Sequence, residues 1–252
     1  MNIIYDIETK PNPKFYAELL EREPKFDPNS VKTGNTKDAE LIKDKIIKAG
    51  IAHEMKMVEW RDKQRKTCCL DPDYGMISAI GILFVETGTY HIIDGTNEKE
   101  ALIEWWSICD STMGKGNLAL GWNTDAFDLP FLFGRSRLLE VTYDWSYIQN
   151  YRYFHHGFVD LHKVWTFGQF GKYCKLDKAC RALGFEEPEN EVTGATFHEY
   201  WDRGGEDREK AKAYLKNDLD MSFCIAKATH GLKVLEQPSN SIETEDAFGD
   251  AH

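Results

Sequence analysis

The chain begins with a short apolar run that ends in two acidic residues. Residues 2–5 are mostly apolar, and Asp6 and Glu8 follow with one residue between them. This pattern predicts a short buried strand. Because residues i and i+2 of a strand point to the same face, the two carboxylates are expected to leave its end side by side. Such a pair favours a bound divalent cation, although a solvated strand end is the simpler interpretation of this motif alone.

The pattern then changes from helical to strand-like spacing. Residues 11–70 begin with several prolines and continue with apolar residues at helical spacing, which predicts a short helix over Lys14–Arg22 and then two helices, or one bent at Gly50. The Lys and Arg residues there are typical of a solvated face, and a helical arm that touches a phosphate backbone is the alternative. The β-rich runs Gly75–Phe84 and Thr89–Asp94 predict a hairpin.

The second half of the chain is mainly helical in pattern. One short apolar strand is predicted at Leu118–Gly121, and helices are predicted at Asn97–Ile108, Phe131–Leu139, Leu176–Leu183, Thr196–Trp201 and Glu206–Lys233. This order predicts an α/β domain on a mixed sheet, spanning residues 1–235 with a helical insertion at about 11–70. The acidic segment 236–252 contains no Lys or Arg and is expected to be a disordered tail, with a partner-recruiting peptide centred on Phe248 as the alternative.

Composition narrows the classes of protein that fit. The chain of 252 residues has a formal net charge of −11, which argues against general adhesion to nucleic acid but leaves local contacts open. No apolar run reaches the roughly 18 residues of a membrane span, and no signal-peptide pattern begins the chain. The six cysteines form no C-x-x-C pair, so reduced thiols and a cytoplasmic location are expected.

Further acidic residues occur at positions where they could meet the first pair. Asp128 follows a Phe just past the short strand, with Asp125 as a nearby competitor. Tyr214 and Asp218 are four residues apart on the last helix and therefore share a face, whereas Asp220 is expected to point elsewhere. Taken singly, Asp128 reads as a helix N-cap and Tyr214 with Asp218 as a local helix pair.

Taken in order, these motifs resemble those of the DEDD-type 3′→5′ exonucleases, which include the proofreading domains of DNA polymerases and belong to the ribonuclease H-like superfamily. GWNTDAFDLPFL at 121–132 is similar to the second exonuclease motif of family-B polymerases. Tyr214 stands four residues before Asp218, as in the Tyr variant, whereas the His variant would need a His at Ala213. The resemblance extends to about Lys233, leaving out residues 11–70. It implies a mixed five-stranded sheet flanked by helices, with a helical insertion after the first strand.

The resemblance also implies a chemistry. Two Mg²⁺ or Mn²⁺ ions would activate water and stabilise the leaving group during phosphodiester hydrolysis. Tyr214 would orient the attacking water, and the products would be 5′-nucleoside monophosphates released from single-stranded or frayed 3′ ends. The implied metal ligands are Asp6, Glu8, Asp128 and Asp218.

Substrate contacts are less clearly marked. By family pattern, Thr9 and Asn123 would touch the terminal nucleotide. Phe131 is a candidate for base stacking and Lys172 belongs to the best local basic patch, although most aromatics at such positions are core residues. Asp160 is either a carboxylate that supports the site or a helix cap, and the cap is favoured. Other aromatic candidates for stacking are Tyr153, Phe154, Phe167, Phe170 and Tyr173.

Several functions stay open at this stage. DNA is the favoured substrate, but a DEDD-type exoribonuclease, a structure-selective endonuclease of the wider superfamily, and a catalytically silent nucleic-acid-binding or scaffold module are alternatives. A separate replication or repair protein is a further candidate partner. The nature of the products from end-labelled DNA and RNA distinguishes these functions.

Overall fold

The computed structural model describes residues 1–148, 157–169, 171–186 and 190–233. Its strands are β1 (Ile3–Pro11), β2 (Gly75–Phe84), β3 (Thr89–Asp94), β4 (Ala119–Gly121) and β5 (Phe158–Asp160). Its helices are α1 (Pro13–Leu20), α2 (Ala39–Leu70), α3 (Glu98–Met113), α4 (Asp128–Leu138), α5 (Leu161–Trp165), α6 (Leu176–Ala182), α7 (Phe197–Arg203) and α8 (Gly205–His230). Short 3₁₀ turns occur at Pro28–Ser30, Gly95–Asn97 and Trp145–Ile148.

The five strands form one mixed sheet in the order β3-β2-β1-β4-β5, with β1 at its centre. β2 runs antiparallel to β1 and follows it as far as Pro11, whereas the parallel pairing with β4 covers Ile3 and Ile4. Beyond Ile4 this side of β1 is therefore open to the loop and helix that follow β4. The predicted α/β class and the mixed five-stranded sheet are confirmed.

The two faces of β1 pack against different helices. Ile3, Tyr5 and Ile7 join a core with residues of α3 and α4, and the Tyr5 and Trp105 rings lie 4.8 Å apart within it. Ile4, on the opposite face, packs in a second core with residues of α6 and α8. Because side chains alternate along a strand, the even-numbered Asp6 and Glu8 lie on the α8 side of the sheet.

Residues 11–70 form the predicted helical insertion between β1 and β2. α2 is one continuous helix of 32 residues that runs through Gly50, so it is not split into two. Its N-terminus is capped by Asp38, whose carboxylate accepts hydrogen bonds from the backbone N–H groups of residues 40 and 41. Ile51 and Met55 are 59% and 67% exposed. The apolar spacing thus identifies the helix without identifying its buried face.

Most of the remaining elements follow the predicted order with shifts at their ends, whereas β5 and α5 had no predicted counterpart. The hairpin bounds agree with the prediction, α4 begins three residues earlier than expected, at Asp128, and α8 ends at His230. Gly231 stops that helix in a left-handed conformation (φ +64°) that glycine adopts without strain.

The six cysteines, all within the described ranges, are free thiols. Among the helices described, none combines the length and apolarity needed to cross a membrane. The predicted tail at 236–252 lies outside the described residues.

Candidate active site

Three carboxylates meet on the α8 side of the central strand. Asp6 and Glu8 of β1 and Asp218 of α8 each offer an oxygen, and these oxygens lie within 4.8 Å of one another. The helix can approach the sheet closely because Gly81, the partner of Asp6 on β2, has no side chain. A Cβ at Gly81 would lie 2.8 Å from Cγ of Leu215, one turn before Asp218 on α8. The absence of one side chain on the neighbouring strand therefore allows the third acid to approach the first two.

Asp128 reaches the same region from the other side. It is the first residue of α4, with Phe127 at the N-cap position, so the N-cap interpretation of Asp128 is wrong. Its Oδ1 instead accepts a hydrogen bond from the backbone N–H of Ile7 at 3.2 Å, on the side of β1 that β4 leaves open. The Asp128 side chain is buried, and this backbone contact holds its carboxylate beside the strand that carries Asp6.

Burial and mutual repulsion raise the pKa values of these acids. Burial raises the pKa of Asp6 well above its ordinary range, and repulsion from Asp128, Asp218 and Glu8 adds to the effect. Burial and the charges of Asp218 and Asp128 raise the pKa of Glu8 in the same way. Burial also raises the pKa of Asp128 to about 7, although the hydrogen bond from Ile7 acts in the opposite direction. Such a site is costly when empty and ionised, and its all-oxygen donor set fits the hard cations Mg²⁺ and Mn²⁺.

Tyr214 lies one helical turn before Asp218 and lines the same cleft. Burial, followed by the negative charges of Asp218, Glu8 and Asp6, raises the pKa of its hydroxyl far above the ordinary value of 10. The hydroxyl is therefore protonated at neutral pH and acts as a hydrogen-bond donor. Asp220 points away, as predicted, and its carboxylate accepts a short hydrogen bond from the Tyr90 hydroxyl.

The loop that carries Asn123 is held by a buried carboxylate of the neighbouring strand. Asp160 accepts hydrogen bonds from the backbone N–H groups of Asn123 at 3.0 Å, Asp125 at 3.3 Å and His162 at 2.9 Å. The last of these caps α5, so the predicted cap is confirmed. The first two stabilise a turn in which Asn123 has a positive φ of 59°. Asp160 thus supports the loop in addition to capping the helix, and this second role requires β4 and β5 to be neighbours.

Of the four predicted substrate-binding residues, two line the cleft and two do not. Thr9 and Asn123 line the cleft, and the Thr9 hydroxyl donates a hydrogen bond to the carbonyl oxygen of Cys69 at 2.6 Å. Phe131 is 1% exposed and belongs to the core between α4 and the sheet, so its surface is not accessible for stacking on a base. Lys172 is exposed and does not line the cleft within the described residues.

The other aromatic residues predicted to stack on bases also differ in whether they line the cleft. Tyr173 lines the cleft and is 74% exposed, and Phe167 is 90% exposed. Tyr153, Phe154 and Phe170 lie outside the described residues.

The cleft above the acids has a volume of about 470 Å³, and part of its wall comes from an unexpected element. Arg65, Lys66, Cys69 and Leu70, near the end of α2, line it together with the acidic residues. The basic residues of the insertion were the only sequence signal for this arrangement, because the spacing within a helix does not indicate where its end lies on the fold.

Comparison with known proteins agrees with the architecture. The RNase H 2 family, described as RNase H superfamily, matches residues 67–220, which is more than half of the chain. The chain belongs to the ribonuclease H superfamily. This membership supports nuclease-type chemistry on a nucleic acid, and nucleases of this superfamily typically use divalent metal ions.

Two individual proteins are similar to this ribonuclease H superfamily member. The uncharacterized protein MJ0365 of Methanocaldococcus jannaschii is 29% identical over 180 residues, which covers 68% of this chain and 96% of that protein. The family B DNA polymerase of Pyrobaculum calidifontis is similar in structure with a TM-score of 0.47 and 17% identity. That match covers 63% of this chain, which spans 22% of the polymerase.

Proposed function

We propose that this chain is a metal-dependent 3′→5′ exonuclease of the DEDD type, in its Tyr variant. It releases 5′-nucleoside monophosphates from single-stranded or frayed 3′ ends, with DNA preferred over RNA. The observation that carries the proposal is the meeting of Asp6, Glu8 and Asp218 within 4.8 Å, with Asp128 held beside them by the Ile7 N–H.

Each residue has a distinct role in this proposal. Asp6, Glu8, Asp128 and Asp218 would hold two divalent ions, which would supply acidification of the attacking water and charge stabilisation of the phosphoryl and leaving oxygens. The Tyr214 hydroxyl orients the water by donating a hydrogen bond, since its raised pKa leaves almost none of it as the phenolate that could act as a base. Asn123 contacts the terminal nucleotide from a loop that Asp160 holds in place.

The decisive experiment compares two acids on the same helix. Asp218→Ala removes a carboxylate of the cluster, whereas Asp220→Ala removes one that bonds Tyr90 outside the cleft and so serves as the matched control. Wild-type protein with Mn²⁺ should shorten a 5′-labelled oligonucleotide from its 3′ end in single-nucleotide steps. Asp218→Ala and Asp6→Ala should abolish the product ladder, and EDTA should do the same to the wild type.

The same assay separates the alternatives. Faster digestion of RNA than of DNA identifies an exoribonuclease, and internal products identify an endonuclease. Retention of the ladder in Asp6→Ala would contradict the proposed site. A wild type that binds the oligonucleotide but cleaves neither DNA nor RNA is a binding or scaffold module.

We further propose that residues 1–235 suffice for this activity and that 236–252 lie outside the nuclease domain. A chain that ends at Leu235 should then retain the full rate on the same oligonucleotide. If segment 236–252 recruits a separate replication or repair protein, the full chain should pull that protein down and the shortened chain should not.

A further inference from the structure

The end of α2 is attached to the strand that carries the acids. The Cys69 carbonyl accepts the hydrogen bond from Thr9, directly after Glu8. Arg65, one turn earlier, forms a short ion pair with Glu199 of α7. α2 is thus fixed at two points beside the cleft, and its last turns form part of the cleft wall.

These turns bring positive charge to a cleft dominated by carboxylates. Within the part of the chain that the structure describes, Arg65 and Lys66 are the cationic side chains that line the cleft. Metal ions bound by the four acids would engage the phosphate that reacts. Every further phosphate of an entering strand also carries a negative charge, and in a chain of net charge −11 it needs a local cation.

The same wall offers an apolar surface next to the cations. Leu70, the last residue of α2, is 65% exposed and lines the cleft, as does the 74% exposed Tyr173. Proteins that bind single-stranded nucleic acids combine such surfaces with cations, because the bases pack on the exposed side chains while the phosphates pair with Lys and Arg.

We propose that the last turns of α2 bind the phosphodiester backbone of a single strand entering the cleft, with Lys66 and Arg65 as phosphate contacts and Leu70 and Tyr173 as the surface for its bases. This gives the insertion a role in substrate binding and rests on the proposed nuclease function for its substrate class. Lys66 is more available than Arg65. The Lys66 side chain is 57% exposed and pairs with Asp62 at 2.7 Å, whereas Arg65 is 28% exposed and pairs with both Asp62 and Glu199.

Asp62 sets the strength of this site. Its carboxylate pairs with Lys66 and also with Arg65, the latter at 2.8 Å. The pair with Lys66 is solvent-exposed and therefore weak, so a phosphate can replace the carboxylate there at little cost. Asp62 is thus a competitor of the substrate for the same two cations.

The test measures binding of fluorescein-labelled single-stranded DNA by anisotropy over a range of salt concentrations, with Ca²⁺ in place of Mg²⁺ to suppress cleavage. Lys66→Ala should reduce the slope of log K against log salt by about 0.7, the value for one lost single-strand phosphate contact, and weaken binding about 3- to 5-fold at 0.1–0.15 M salt. Lys63→Ala is the matched control, because Lys63 is an exposed lysine on the same helix that does not line the cleft.

Two further variants separate charge from folding. Lys66→Arg should restore the wild-type slope, and Asp62→Asn should tighten binding and steepen the slope because it frees Lys66, whereas Arg65 keeps its ion pair with Glu199. Thermal unfolding followed by circular dichroism checks that every variant is folded. Equal slopes for Lys66→Ala and Lys63→Ala, or a wild type that binds no single strand, overturn the inference. Absence of cleavage in Mn²⁺ with the slope difference intact instead refutes the proposed nuclease activity alone.

Discussion

Replacing Asp128 with asparagine removes one charge from the centre of the site while keeping the shape of the side chain. The amide oxygen of the new residue can still accept the hydrogen bond from the backbone N–H of Ile7. The change therefore separates the electrostatic cost of the acidic cluster from the packing of α4 against β1. We expect the variant to be more stable than the wild type in the absence of metal and inactive as a nuclease.

The magnitude follows from the pKa of Asp128. It is about 7 in the folded protein against an ordinary value of 3.8, mainly because of burial. A folded-state pKa raised above the unfolded value means that ionising this acid destabilises the fold. The cost begins near pH 4, grows up to about pH 7 and is complete above it. At about 1.4 kcal/mol per pKa unit, Asp128→Asn should gain about 2 kcal/mol at pH 5 and about 4 kcal/mol at pH 8, as upper bounds.

Urea unfolding in EDTA at pH 5 and pH 8 measures these gains. Asp125→Asn is the control in the same loop, because the Asp125 carboxylate pairs with Lys163 and its removal should change stability by no more than about 1 kcal/mol. Mn²⁺ at 100 times its dissociation constant should stabilise the wild type by about 2.7 kcal/mol, and Asp128→Asn should lose most of that gain. A variant that is no more stable than the wild type at pH 8 in EDTA would refute the argument.

Three other predictions test the parts around the cluster. Tyr214→Phe should lower kcat on a labelled oligonucleotide about 10²-fold while keeping stabilisation by Mn²⁺, since only the water-orienting hydroxyl is lost; loss of the Mn²⁺ effect would contradict that role. Asp160→Ala should lower nuclease activity about 10- to 100-fold by releasing the Asn123 loop, and Asp160→Asn should recover part of it; wild-type activity in Asp160→Ala would show that loop support is unimportant. Glu98→Gln should lower the free energy of unfolding in urea by about 3–5 kcal/mol because it leaves the buried Arg135 without its paired charge; a loss below about 1 kcal/mol would indicate that the charge finds another partner.

Local patterns in the sequence were enough to predict most of the elements and most of the candidate site. Apolar spacing indicated the strands and helices because burial of one face requires a fixed period. The same periods placed Asp6 beside Glu8 on a strand and Tyr214 beside Asp218 on a helix. These pairs lie within four residues of each other, so the geometry of a single element determines them.

Contacts between distant parts of the chain were decided only by the tertiary structure. Asp128 meets the N–H of Ile7, 121 residues away, because β4 pairs with only the start of β1. Phe131 proved to be a core residue because α4 turns that side toward the sheet. The end of α2 reached the cleft through the Thr9 contact at Cys69, 60 residues along the chain. None of these contacts has a local period, since each depends on how separate elements pack against one another.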